Sequence, residues 1–295
     1  MTLKLTGGGY SGVLDAGRGA TILSLDWLHP NGNTLPLLTP LEDATQGFKG
    51  GCFVMLPFAN RIADGQFEFE GAEYRLQMNL PAESMMIHGF SRDHPWQTVQ
   101  ATPSSAVLEQ GFEQPGNPYR YWARMEIDLT PSGVRIGLSV ENTGPTTMPF
   151  GMGLHPWYVK TPKALLTFQS EGTFSRDDRG LPVEPLRAVP EFSTTPSPLG
   201  ALPWFDGCFI GWLRTATLTW PERRASLVIE TDCALAHLHI YVPDDRPTVC
   251  VEPVSHAPDA INRPRLPTGS AMKPLAPGET LSGAMILRAE PTPPE

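Results

Sequence analysis

Apolar and polar residues alternate with a period of two along most of this chain. Val134, Ile136, Leu138 and Val140 are separated by Arg135, Gly137 and Ser139, the pattern of a strand with one face buried and the other wet. Tyr121 to Leu129 precedes them across Pro131-Ser132-Gly133, so residues 121–142 are predicted to form a hairpin. Phe67 and Phe69 with Tyr74 and Leu76 flank Glu70-Gly71 in the same way, and residues 216–220 and 225–231 flank Pro221-Glu222. Ala236, Leu238, Ile240 and Val242 alternate with His237, His239 and Tyr241 before Pro243-Asp244-Asp245 turns the chain into residues 248–254. No stretch of a dozen residues carries a capped 3.6-residue apolar repeat, so helices are expected to be few and short. Strand following strand predicts an all-β fold, a large antiparallel β-sandwich rather than a βαβ sheet.

With 295 residues, 40% hydrophobic and 18% charged, the chain can bury a large core. No linker-like run divides it, so one domain over residues 1–295 is expected, with residues 290–295 a frayed, proline-rich tail. The 32 prolines and 28 glycines suit a chain of many turns. A net charge of −9 argues against nucleic acid or an anionic membrane as the main partner. Met1 to Gly9 lacks the apolar core of a signal peptide, and the apolar run Cys52 to Ala59 is broken by Pro57 and too short to span a bilayer. A soluble, cytoplasmic protein is the expectation. Cys52, Cys208, Cys233 and Cys250 are scattered without a C-x-x-C pair and are expected to be free, mostly buried thiols.

Two residues stand out chemically. His155 in Gly153-Leu154-His155-Pro156-Trp157-Tyr158 and Glu252 in Val251-Glu252-Pro253 each sit beside a proline in an apolar, β-favouring stretch, where a rigid backbone can aim a side chain into a cleft. An imidazole facing a carboxylate can give one proton and take another near neutral pH. Asn60-Arg61 offers a mixed donor and acceptor beside a fork of donors, suited to adjacent hydroxyls, though on local composition alone a capped turn with a surface arginine is the better reading. His88 precedes Gly89, a residue that permits close approach of the backbone to a ligand, yet a lone histidine is also an ordinary core residue. Asp206 lies among Trp204, Phe205 and Phe209, as a sugar-binding carboxylate would, or as a turn residue beside Gly207. His94 reads as a loop residue. His237 and His239 share a strand face but lack a nearby third metal ligand, so a polar face is the better reading. No phosphate loop, nucleophile elbow or dinucleotide fingerprint is present in the sequence.

In chain order, Asn60-Arg61-Ile62 with Gly65 and Gly71, His88-Gly89, His155-Pro156 followed by aromatics, Asp206-x-x-Phe209, Glu252-Pro253 and Leu275-x-Pro277-Gly278-Glu279 resemble the aldose 1-epimerase (galactose mutarotase) family over nearly the whole chain. The resemblance implies a β-supersandwich with the sugar in an open cleft. It also implies interconversion of the α and β anomers of a free aldohexose without metal or organic cofactor. Carried residue by residue, it makes Glu252 the general base and His155 the general acid, with Asn60, Arg61, His88, Asp206 and Trp157 holding the sugar. Ordinary pKa values, about 4.3 and 6.5, would start the pair as carboxylate and imidazolium near pH 6, with Asp206 keeping His155 charged higher. The sequence departs from many relatives after the His-Pro pair, where Trp157-Tyr158 are followed by Val159-Lys160. Two rival expectations are a hexose-6-phosphate mutarotase, for which Arg92 is the extra cation near a site motif, and a non-catalytic sugar-binding protein.

Overall fold

The computed structural model describes residues 2–43, 47–187, 192, 195–200, 202–266 and 268–293. The alternating segments pair, antiparallel throughout, into two large sheets of eleven and nine strands among the described residues. The larger sheet runs, edge to edge, through Thr2–Gly7, Tyr10–Asp15, Thr21–Leu28, Cys52–Met55, Gly153–Val159, Thr248–Val254, His237–Val242, Phe205–Ile210, Gly172–Arg176 and Pro182–Arg187, with Thr34–Pro36 added beside Thr21–Leu28. The second sheet centres on Arg120–Thr130, Gly133–Asn142, Thr280–Pro291 and Ala225–Thr231.

The predicted hairpins form in the expected places. Thr130 pairs with Gly133, Phe69 with Ala72 and Trp220 with Ala225. The only helical elements among the described residues are three-residue 3₁₀ turns such as Pro221–Arg223, because proline and glycine punctuation leaves no apolar stripe long enough for an α-helix. The last strand reaches Pro291, pairing Glu290 with Ser226 and Pro291 with Ala225. Glu290 and Pro291, expected to belong to a tail, are therefore part of a strand, and residues 294–295 lie outside the described residues.

The main core lies between the sheets. Leu14, Leu25, Val54, Tyr158, Ile240 and Val251 of the larger sheet meet Leu108, Met125, Ile136, Leu227 and Leu287 of the smaller one. At roughly 1.5–3 kcal/mol per fully buried large aliphatic or aromatic side chain, this interface is the principal stabilising layer. The opposite face of the larger sheet carries a second apolar cluster that includes Phe53, Met55, Trp157, Cys208, Ile210, Cys250 and Val254. Its central strands are thus covered on both faces, and every residue of Thr248–Val254 is buried. Strands buried on both sides read as continuous apolar runs rather than alternations, which fits Thr248-Val249-Cys250-Val251. Cys52, Cys208 and Cys250 are free and buried, and Cys233 is free and exposed. No helix of the described residues is long and apolar enough to cross a membrane.

Candidate active site

Period-two alternation sorts the site from the core. Leu154 and Tyr158, Leu238 and Ile240, and Val249 and Val251 face the core between the sheets, so His155, His239 and Glu252 face the other way. Gly153 pairs with Val254 and Trp157 with Cys250, which places His155 opposite Glu252 on adjacent strands. His155 also pairs with Phe53, Glu252 with His239, and His239 with Cys208. One row of side chains thus crosses the middle of the sheet, and within it His155 Nε2 lies 3.3 Å from Glu252 Oε1. Phe53 and Trp157 sandwich the His155 ring, with centroids 4.4 and 5.3 Å away and planes 24° and 21° off parallel. Two stacked neighbours fix the imidazole plane against its carboxyl partner.

A wall of the cleft is built from backbone in the left-handed region. Asn60 has φ 57° and His88 φ 62°, conformations that cost energy outside glycine and persist where the surroundings over-determine them. Here the two residues hold each other. The Asn60 N–H donates to His88 Nδ1 at 3.1 Å, and the His88 N–H donates to the Asn60 carbonyl at 2.8 Å. Because Nδ1 accepts, the neutral ring carries its proton on Nε2. Asn60 Oδ1 accepts from the Arg61 N–H at 3.0 Å and from Arg61 Nη1 at 3.3 Å. From below, buried His256 accepts the Ala59 N–H on Nε2 at 3.0 Å and donates from Nδ1 to the Ala257 carbonyl at 2.8 Å. Asp259 takes the Ala63 N–H at 3.0 Å, and its own N–H donates to the Arg61 carbonyl at 2.8 Å.

Asp206 is the electrostatic hub. Its Oδ1 lies 2.7 Å from His239 Nε2, and its Oδ2 lies 2.7 Å from Arg176 Nη1 and 3.5 Å from Arg61 Nη1. Arg176 also donates to the Asp206 carbonyl at 2.9 Å, and its guanidinium lies over the Trp204 ring. Burial opposes ionisation of Asp206, but the His239 hydrogen bond and the charges of His239, Arg61 and Arg176 outweigh it and hold the carboxyl well below the usual range.

Burial outweighs the compensation available to the central pair, Arg61 for Glu252 and Asp206 for His155. It drives Glu252 well above the ordinary carboxyl value, and the charge of Asp206 adds to the rise. It drives His155 well below the ordinary imidazole value, helped by His239 and Arg92. Asp206 does pull His155 upward, but only as a minor influence, since its charge is spent on His239 and the two arginines. The expectation that Asp206 keeps His155 charged is therefore corrected. Both shifts favour the uncharged forms, a carboxylic acid beside a neutral imidazole, one proton move away from carboxylate and imidazolium. His88 is likewise held neutral, first by burial and then by Arg92.

These groups line a cleft of about 320 Å³ bounded by Asn60, Arg61, Glu83, Ile87, His88, His155, Trp204, Asp206, His239, Tyr241 and Glu252, at the small end of ligand-pocket sizes. The structure thus brings together His155, Glu252, Asn60, Arg61, His88 and Asp206. Trp157 stands apart from this lining. It stacks behind His155, and the aromatic walls are Trp204 and Tyr241. Gly89 departs from expectation too: a Cβ there would lie 1.9 Å from the Leu56 carbonyl oxygen, so the close approach it permits is to backbone, not ligand. Arg92 packs over Phe48 and Phe53, at 4.8 and 5.3 Å from their ring centroids, behind the cleft. His94 packs on Phe112 and contacts Gln114, outside the cleft.

Several site residues were not anticipated from the sequence, Tyr241 and Glu83 of the lining among them. His239, expected only to form a polar strand face, is part of the cleft floor; its pairing with Glu252 follows from a register, Tyr241 opposite Cys250, that the Pro243-Asp244-Asp245 turn does not by itself fix. His237 on the same face bonds the Gly269 carbonyl at 2.7 Å instead. Arg176 had no local signal. As for metal ligands, ligand atoms of His155, Cys250 and Glu252 all lie within 4.8 Å of one another.

Chemically, the floor can move one proton between two adjacent oxygens of a small polyhydroxylated molecule held by the amide, imidazole and guanidinium groups around it. A double-layered antiparallel sandwich with such an open cleft at the centre of its larger sheet is a galactose mutarotase-like fold. The chain belongs to the aldose 1-epimerase family, whose model matches residues 1–288. It is 31% identical over 267 residues to the uncharacterised protein YphB of Escherichia coli K12, covering 88% of this chain and 90% of that one. A crystal structure from Escherichia coli K12, provisionally assigned as an aldose 1-epimerase, superposes with a TM-score of 0.88 at 29% identity over 99% of both chains. A galactose mutarotase-like protein of Clostridium acetobutylicum shares the fold, with a TM-score of 0.85 at 20% identity over 99% of this chain and 95% of that one. Membership makes the protein, at family level, a sugar epimerase.

Proposed function

We propose that the chain interconverts the α and β anomers of a free aldohexose by acid–base ring opening and reclosure, with Glu252 as base and His155 as acid. A cyclic hemiacetal opens when its anomeric hydroxyl loses a proton and its ring oxygen gains one. Both oxygens are borne by one carbon, so the acid and the base must both reach that one acetal. The 3.3 Å between His155 Nε2 and Glu252 Oε1 is the observation that carries this reading.

The cycle starts from carboxylate and imidazolium. Glu252 takes the hydroxyl proton as His155 protonates the ring oxygen and the ring bond to C1 breaks, leaving open-chain aldehyde, neutral Glu252 and neutral His155. Rotation about C1–C2 presents the other carbonyl face, and the two groups reverse roles to close the ring. The neutral pair favoured by burial is the protonation state of the open-chain intermediate. Desolvation thereby lowers the energy of the intermediate relative to the cyclic complex. Asn60, Arg61 and His88 hold hydroxyls, Trp204 and Tyr241 offer faces to C–H groups, and Asp206 chiefly orients Arg61, Arg176 and His239. Arg92, behind Phe53, lends no support to a 6-phosphate substrate.

Polarimetry of freshly dissolved α-anomers of glucose and galactose, with glucose 6-phosphate for comparison, tests the reading. Glu252→Gln and His155→Asn are each expected to lower the rate by about 10²–10⁴-fold. A variant that keeps half the wild-type rate overturns the assignment, and saturable sugar binding without faster mutarotation favours the non-catalytic alternative.

A further inference from the structure

The floor of the cleft holds a residue that the proposed reaction does not use. Cys250 precedes Glu252 by two positions on Thr248–Val254, so both side chains leave the same face of the strand, and His155 comes from the neighbouring strand with Trp157 in register with Cys250. Two ligands at i and i+2 of one strand and a third from its neighbour are what a sheet can offer a metal ion without bending. We propose that His155, Cys250 and Glu252 form a latent site for a thiophilic divalent cation such as Zn²⁺, and that its occupancy switches the proton-transfer pair off.

The ligand atoms are all within 4.8 Å of one another. Ligands at about 2.0–2.3 Å around a tetrahedral zinc ion stand roughly 3.3–3.6 Å apart. The His155 Nε2 to Glu252 Oε1 separation of 3.3 Å already matches, and small side-chain rotations close the remainder. His155 and Glu252 border the cleft, leaving the fourth position to water. Glu252 Oε2, buried and beside the proposed ligand atoms, has no hydrogen-bond partner among the described residues, whereas buried polar atoms are ordinarily satisfied. Imidazole, thiolate and carboxylate form a donor set that suits zinc. One thiolate and one carboxylate also cancel the charge of the ion, so the loaded site buries no net charge. Binding releases the Cys250 thiol proton and, where Glu252 is protonated, its carboxyl proton. No electron moves. The metal then occupies the base and the nitrogen lone pair on which proton transfer depends.

The effect on activity rests on the acid–base roles proposed above, whereas capture of the metal does not. The experiment therefore reads both. The full chain, freed of metal with a chelator, is titrated with Co²⁺ and then with Zn²⁺. The expected result is a thiolate-to-cobalt charge-transfer band with tetrahedral d–d bands at one equivalent, displaced by Zn²⁺, and a Zn²⁺ inhibition of mutarotation that a chelator reverses. Cys250→Ala is expected to retain basal mutarotation within about twofold and to lose the charge-transfer band. It should also weaken Zn²⁺ inhibition by at least the roughly 10–100-fold that changes outside the ligand set cost. Cys250→Ser preserves volume and gives the same reading should the alanine variant fold poorly. Absence of the charge-transfer band in the wild type, or Zn²⁺ inhibition undiminished in the Cys250 variants, overturns the proposal. A band lost in the variants of a chain without mutarotase activity upholds the metal site and sinks the function; activity without the band does the reverse.

Discussion

Replacing Asp206 with asparagine keeps the shape of the side chain and removes its charge, which makes it a sensitive probe of this site. The carboxylate makes two contacts of 2.7 Å, to His239 and Arg176, and a longer one of 3.5 Å to Arg61. Asp206 is 7% exposed, Arg61 15% and Arg176 22% at the side chain, so solvent screens these contacts only weakly. Hydrogen bonds to charged groups contribute about 1.5–3 kcal/mol each, so the two short ones together give roughly 3–6 kcal/mol. The independent figure for removing one partner of a buried ion pair is about 3–5 kcal/mol. A loss near 4 kcal/mol lowers the melting temperature of a chain of this size by about 6 °C, taking ~2.1 cal/mol/K of unfolding entropy per residue. Urea and thermal unfolding of Asp206→Asn measure this directly.

The same substitution has a signature that a merely structural residue would not give. Productive protonation is one proton shared by Glu252 and His155, so activity falls when the pair gains a second proton in acid and when it loses its only one in base. Burial holds the acid limb below the ordinary imidazole range and the basic limb above the ordinary carboxyl range. The negative charge of Asp206 raises both groups. Removing it therefore moves both limbs of the pH–rate profile to lower pH. A stability loss under about 1 kcal/mol, or a profile whose limbs do not move, refutes the hub role given to Asp206.

Other outcomes follow from residues that support the site. His256 is buried as a neutral ring with its pKa pushed down to about 4; the unfolded chain, with an ordinary histidine near 6.5, binds the proton more readily. Its contribution is complete above pH 6.5 and is lost as pH falls from about 6.5 to about 4, to a total of about 3 kcal/mol; urea unfolding across that range should show the loss in wild type and a flatter profile in His256→Gln. Gly89→Ala puts a Cβ at φ 65° and 1.9 Å from the Leu56 carbonyl oxygen, so about 3 kcal/mol or more of stability should be lost, with KM raised through displacement of His88. A Gly89→Ala protein of wild-type stability contradicts the backbone contact on which that argument stands.

The period-two pattern determined the all-β class and the local hairpins, because alternation and turn chemistry act between residues near in sequence. It also determined which face each side chain takes, and so which residues could share a site. The His239 to Glu252 pairing was not among these local features, since it depends on a register the turn between their strands leaves open. Tertiary structure alone decided that the His155 strand lies between Cys52–Met55 and Thr248–Val254, since many apolar strands match one another in pattern and only the packed sheets select among them. It decided that Arg176, silent in the sequence, reaches Asp206, and that Trp157 backs His155 while Trp204 and Tyr241 face the cleft. It decided the direction in which the central pair's pKa values move as well. The sequence supplies a carboxyl and an imidazole with ordinary pKa values, and the desolvation that shifts both toward their uncharged forms comes from everything the fold places over them.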